Sequence, residues 1–139
     1  MKRLLIGYGN ELRGDDGAAW ELARRAALVG WKTLCVVQLT PELAETVSQF
    51  DQVVFVDATH EPGPLGWQLI KPKAGQEWPI HSGEPGRLLG LCQSLYGKSP
   101  KGWIMTLPGE DFGYRLGLSE FSQASVVEGL ERLRKVRLR

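Results

Sequence analysis

Three residues in this chain have side chains and sequence settings that could do chemistry together: Asp16, Asp57 and His81. Asp16 follows the glycine turn Gly7-Tyr8-Gly9 and stands where a helical pattern begins. Asp57 closes the apolar run Val53-Val54-Phe55-Val56. His81 follows the longest irregular polar stretch, Pro72 to Pro79, which delivers it. Two carboxylates and an imidazole form a mixed oxygen and nitrogen donor set, suited to zinc, nickel or another borderline divalent ion. Three protein ligands leave positions open for water or a substrate group. An ion held there could polarise a carbonyl or activate water. Each residue also has an ordinary structural reading. One of Asp15 and Asp16 could cap the helix while the other sits solvated near the dipole's positive end. Asp57 could be a turn residue in the loop to Thr59, and His81 a surface histidine. His60, three residues after Asp57, is a rival imidazole.

The glycine turn fails two better-known patterns. Gly7-Tyr8-Gly9 starts like a dinucleotide fingerprint, but the third glycine would fall at Leu12, and the lysine and hydroxyl of a phosphate loop are missing. Asp15 and Asp16 already fill the helix entrance with negative charge, which repels phosphate and welcomes a cation. No Gly-x-Ser-x-Gly is present, and neither cysteine has a histidine partner in sequence. Cys35 falls in a strand pattern and Cys92 on a helix face, so both are expected to be buried, inert thiols.

The elements that must position these residues alternate. Arg3 to Gly7 reads as a buried strand. From Asp16 to Val29 the pattern is helical, with Ala19, Leu22, Ala23 and Ala26 on one face. A second strand covers Lys32 to Gln38. Thr40-Pro41-Glu42 opens a short helix, buried through Leu43, Ala44 and Val47. Gln52 to Asp57, apolar on both faces, is a central parallel strand. A carboxylate at its end points into the crevice above the sheet, where ligands bind in open α/β folds. Trp67 to Ile70 reads as an edge strand, with an antiparallel setting open to it. Pro85 starts a helix lined by Leu88, Leu89, Leu91, Cys92 and Leu95 and stopped by Gly97. Trp103 to Leu107 is another buried strand. Ser119 or Ser122 caps a last helix with the stripe Val126, Val127, Leu130 and Leu133. This order predicts a three-layer α/β/α sandwich with a mostly parallel sheet of about five strands, built as a single domain over residues 1–139.

The chain has 139 residues, 42% hydrophobic and 24% charged, with a net charge of +1. That balance gives no field pointing to nucleic acid or to an acidic membrane. The apolar run after Met1 is too short for a signal peptide or a membrane span, so a cytoplasmic protein is the expectation. The basic run Arg132, Arg134, Lys135, Arg137 and Arg139 reads as a solvated helix end that complements the dipole.

Gly7-Tyr8-Gly9-Asn10-Glu11-Leu12-Arg13-Gly14-Asp15-Asp16-Gly17 resembles the opening motif of the [NiFe]-hydrogenase maturation proteases. Val56-Asp57-Ala58 resembles their second motif and His81, ahead of Leu88-Leu89, their third. Gly117-Leu118-Ser119 resembles their late Gly-Leu-Ser segment. The four stand in matching order over nearly the whole chain. The resemblance implies an endopeptidase of the aspartyl type that trims the carboxyl-terminal extension of a nickel-loaded hydrogenase large-subunit precursor. It also implies that Asp16, Asp57 and His81 hold the metal and carry the catalysis. The nickel would arrive with the substrate, with zinc or cadmium as surrogates. The chain departs from the family in one place: where many members have an Asp near the end of the second strand, it has Gln38, which can hydrogen-bond but cannot act as acid or base. Ala19 also replaces a frequent glycine, which a helix accepts readily. Two other functions stay open on the residues alone: a metal-sensing module that binds the loaded subunit without cutting it, and a small hydrolase with a resident metal.

Overall fold

A computed structural model describes residues 1–74 and 84–135. Its strands and helices alternate as β1 (Arg3–Tyr8), α1 (Ala18–Ala27), β2 (Lys32–Val36), α2 (Leu43–Val47), β3 (Gln52–Thr59), β4 (Gly66–Ile70), α3 (Pro85–Tyr96), β5 (Lys101–Pro108) and α4 (Glu120–Lys135). A 3-10 turn, Gly14–Gly17, precedes α1.

The five strands form one sheet in the order β2-β1-β3-β5-β4. All neighbours are parallel except β4, which runs antiparallel to β5 at the edge. The central strands are apolar on both faces because helices cover both. Leu5, Val54, Val56, Met105 and Leu107 pack with Ala19, Leu22 and Ala23 of α1 and Val126 of α4. Leu4, Ile6, Val53 and Phe55 pack with Ala44 and Val47 of α2 and Leu88, Leu89 and Cys92 of α3. The expected α/β/α layering and mostly parallel five-stranded sheet are therefore present.

Several expectations about individual residues change. Cys35 is exposed, because β2 is an edge strand; Cys92 is buried, and burial pushes its thiol up to about 11. Leu95 and Val127 are solvent-facing. On α4 the buried face includes Ser122, Ser125 and Gly129 instead of Val127, and a Cβ on Gly129 would come within 2.5 Å of Leu22 Cδ1. A small residue there lets α4 lie close to α1 and the sheet. No described helix is long and apolar enough to cross a membrane.

Chain order creates the crevice. From β1 the chain moves outward to β2, then crosses back through α2 to lay β3 on the other side of β1. The carboxyl ends of β1 and β3 are thus the point where the winding reverses, the usual ligand position in such sheets.

Candidate active site

Gly7 pairs with Val56 in the β1–β3 ladder, so Tyr8 and Asp57 lie level at the crevice. Side chains alternate along a strand, which places both on the side of α2 and α3 with Leu4, Ile6, Val53 and Phe55. Asp57 is half-buried. Burial and then the Asp16 charge push its carboxyl up to about 6, while the Ala58 N–H and the Tyr8 hydroxyl act the other way. Burial, and then the Asp57 charge, raise the Tyr8 phenol far above its ordinary value. It stays neutral and remains a proton donor to Asp57.

Asp16 reaches the same rim from the 3-10 turn. Its Oδ2 accepts from the Asn10 N–H at 2.6 Å. The glycines of the turn make this approach possible. A Cβ on Gly9, whose φ is +154°, would collide with the Asp16 carbonyl oxygen, and one on Gly7 with that of Ala19. Backbone must pass there against backbone, which only glycine permits.

Asp15 does something else. It is wholly buried and reaches across to the loop between β5 and α4. Its Oδ2 accepts from the N–H groups of Glu110 (2.9 Å) and Asp111 (3.0 Å) and from the Ser119 hydroxyl (2.7 Å). Its Oδ1 accepts from the Ser119 N–H at 2.8 Å. Burial alone would raise this carboxyl, but these donors outweigh it and hold the pKa below the ordinary value. Ser119 Oγ in turn accepts from the Ser122 N–H at 3.1 Å, so Ser119 is the cap of α4, as one of the two candidate serines was expected to be. Neither Asp15 nor Asp16 caps its own helix through a side-chain bond. Sequence reasoning missed Asp15 as a positioning residue. The available signal was a buried-type partner, Gly117-Leu118-Ser119, about a hundred positions away.

The structure thus brings Asp16 and Asp57 together. His81 lies outside the described residues. His60 is exposed, with its ring edge-on to Phe112 and the centroids 6.0 Å apart. Among the described residues no group of three His, Cys, Asp or Glu side chains forms a metal-sized cluster. Gln38 is exposed just beyond β2, on the same rim. The Asp16 charge opposes ionisation of Asp57, and a divalent ion bound beside Asp57 would relieve that repulsion. The donor chemistry of the pair therefore fits an ion bound by carboxylate oxygens.

No protein-family model matches the chain, and no curated protein matches it. Solved structures do. HybD from Thermococcus kodakarensis, a [NiFe] hydrogenase maturation protease, is 23% identical with a TM-score of 0.73, covering 97% of this chain and 98% of its own. HycI from Thermococcus kodakarensis KOD1, also a [NiFe] hydrogenase maturation protease, is 19% identical with a TM-score of 0.72, covering 95% and 89%. HybD from E. coli, a hydrogenase maturating endopeptidase, is 19% identical with a TM-score of 0.69, covering 96% and 90%. The resemblance read from the motifs is borne out at the level of the fold.

Proposed function

We propose that this chain is an endopeptidase that removes the carboxyl-terminal extension of a nickel-loaded [NiFe]-hydrogenase large-subunit precursor in the cytoplasm. The observation that carries the reading is the pairing of Asp16 and Asp57 at the winding reversal of a fold shared with hydrogenase maturation proteases. The nickel belongs to the substrate. In this reading Asp16 and Asp57 supply oxygen donors to it, and His81 a nitrogen. Burial and the Asp16 charge raise Asp57 to about 6 in the metal-free chain; a divalent ion beside it would lower that value and favour the ionised, ligating carboxylate. Tyr8 holds it in place as a neutral donor, and the Asn10 N–H does the same for Asp16. Recognition of the ion would confine cutting to precursor that has already been loaded.

The test is incubation of the purified chain with nickel-loaded and nickel-free precursor, read by mass spectrometry. The expected result is a lost tail from the loaded form only, and none with Asp57→Ala or His81→Ala. Normal trimming by both variants refutes the site. Gln38, standing on the rim where an acid is common, motivates the competing reading of a non-cleaving metal-sensing module. An intact complex with an untrimmed precursor would favour that module.

A further inference from the structure

Beside the carboxylate pair lies a surface that its chemistry does not require. Leu12 is 59% exposed, Tyr114 86% and Leu116 71%. Large apolar side chains on a slack loop could fold back onto the protein. Here the backbone prevents it. Arg13 and Arg115 form a parallel β-bridge. The Arg115 N–H donates to the Leu12 carbonyl at 2.9 Å, and the Gly14 N–H to the Arg115 carbonyl at 2.8 Å. Below them the buried Asp15 ties Glu110, Asp111 and Ser119 to the same turn. Two loops from opposite ends of the sequence are thus fixed as one rigid edge, with Leu12, Tyr114 and Leu116 facing outward.

Tyr114 and Arg13 are of the types that dominate binding energy at protein interfaces, and Leu12 and Leu116 add exposed apolar surface beside them. The Arg13 guanidinium lies 5.3 Å from the Tyr114 ring centroid, and among the described residues it has no ion pair. Arg115 is held by Asp111 at 2.8 Å. A cleft of about 90 Å³ beside Leu116, lined by Glu11, Gly14, Arg24 and Leu118, has room for one small side chain. The edge is continuous with the site, since Asp16 is three residues beyond Arg13 on the same segment.

We infer that this edge, Leu12, Arg13, Tyr114 and Leu116, docks the folded body of the precursor, through an apolar patch on that protein flanked by carboxylate or carbonyl groups. The inference rests on the proposed peptidase function and gives it a second element of recognition. Specific protein interfaces need roughly 800 Å² per partner, and an exposed edge continuous with the carboxylate pair is placed to add such surface beside the crevice. In this arrangement the carboxylates report the ion and the rigid edge reports the protein that carries it.

The experiment uses the full chain and nickel-loaded precursor, with binding measured on an immobilised surface and cleavage kinetics in parallel. Tyr114→Ala with Leu116→Ser changes only exposed side chains, and Arg13→Glu provides an independent variant should the double one misfold. The expected result is at least tenfold weaker binding, about 1.4 kcal/mol, with KM raised by the same factor, kcat at saturation unchanged and the melting temperature unmoved. Unchanged affinity in the folded variants overturns the proposal. So does loss of a homodimer with precursor binding intact, which would make the edge a self-contact. Wild-type chain that binds but never cuts defeats the peptidase function alone, and the variants' weaker binding then still supports the docking edge. Wild-type chain that does neither defeats both.

Discussion

Replacing Asp15 should loosen the whole rim of the site, and the size and pH dependence of the effect can be worked out. The carboxylate receives four hydrogen bonds, from the N–H groups of Glu110, Asp111 and Ser119 and from the Ser119 hydroxyl. Bonds to a charged group contribute roughly 1.5–3 kcal/mol and neutral ones about 0.5–1.5 kcal/mol. In Asp15→Asn the amide oxygen can take the Oδ2 position and keep three bonds in weaker, neutral form. The NH2 group then faces the Ser119 N–H, donor against donor. A loss of about 3 kcal/mol follows. Asp15→Ala leaves all three N–H groups without the acceptor. Water reaches part of the loop, so the cost stays near the low end of the unsatisfied-donor range, about 4 kcal/mol in total.

The sign with pH is fixed by the direction of the shift. The folded-state pKa of Asp15 lies below its ordinary value. Its stabilisation is therefore complete above the unfolded carboxylate pKa of about 3.9 and disappears as pH falls through the lower folded value. Urea unfolding of wild type and Asp15→Asn at pH 7, 5 and 3 is the assay. The difference should be full at pH 7 and 5 and shrink at pH 3. A variant as stable as wild type at pH 7, or a gap that widens on acidification, would falsify the staple. Limited proteolysis near Arg115 should meanwhile speed up in the variant, because the loop is held to the turn at this point.

Two further outcomes concern the site. In the metal-free chain, Asp16→Asn should lower the Asp57 pKa from about 6 only part of the way, because burial is the larger cause and the Asp16 charge the second; carbon-detected NMR titration of the Asp57 carboxyl measures it, and an unmoved value would mean the two carboxylates do not face each other. Gly9→Ala should cost about 2–3 kcal/mol, since an unfavourable backbone region alone is worth roughly 1–3 kcal/mol and the new Cβ meets the Asp16 carbonyl; thermal unfolding checks the loss, and an unchanged midpoint would rule out the close approach.

Much of the scaffold was legible because it rests on repetition. The run Val53–Val56 can only be a strand covered on both faces, and its four residues are fully buried. Trp67–Ile70, with weaker alternation, reads as an edge, and β4 is the antiparallel edge of the sheet. What escaped was decided by contacts far apart in sequence. The pattern from Asp16 to Val29 reads as one continuous helix, yet α1 starts at Ala18 after a 3-10 turn over Gly14–Gly17. That turn has three residues per revolution, so adjacent side chains diverge by about 120°. It sends Asp15 inward to the loop after β5 and Asp16 to the crevice beside Asp57. Identical neighbours in the sequence therefore have opposite fates, one desolvated and fully bonded, the other left with acceptor capacity at the rim. Local spacing cannot assign them, because the donors that claim Asp15 come from Glu110, Asp111 and Ser119. The motif is best understood as one unit of two carboxylates: Asp15 fixes the edge that flanks the crevice, and fixing that edge leaves Asp16 as the acid beside Asp57.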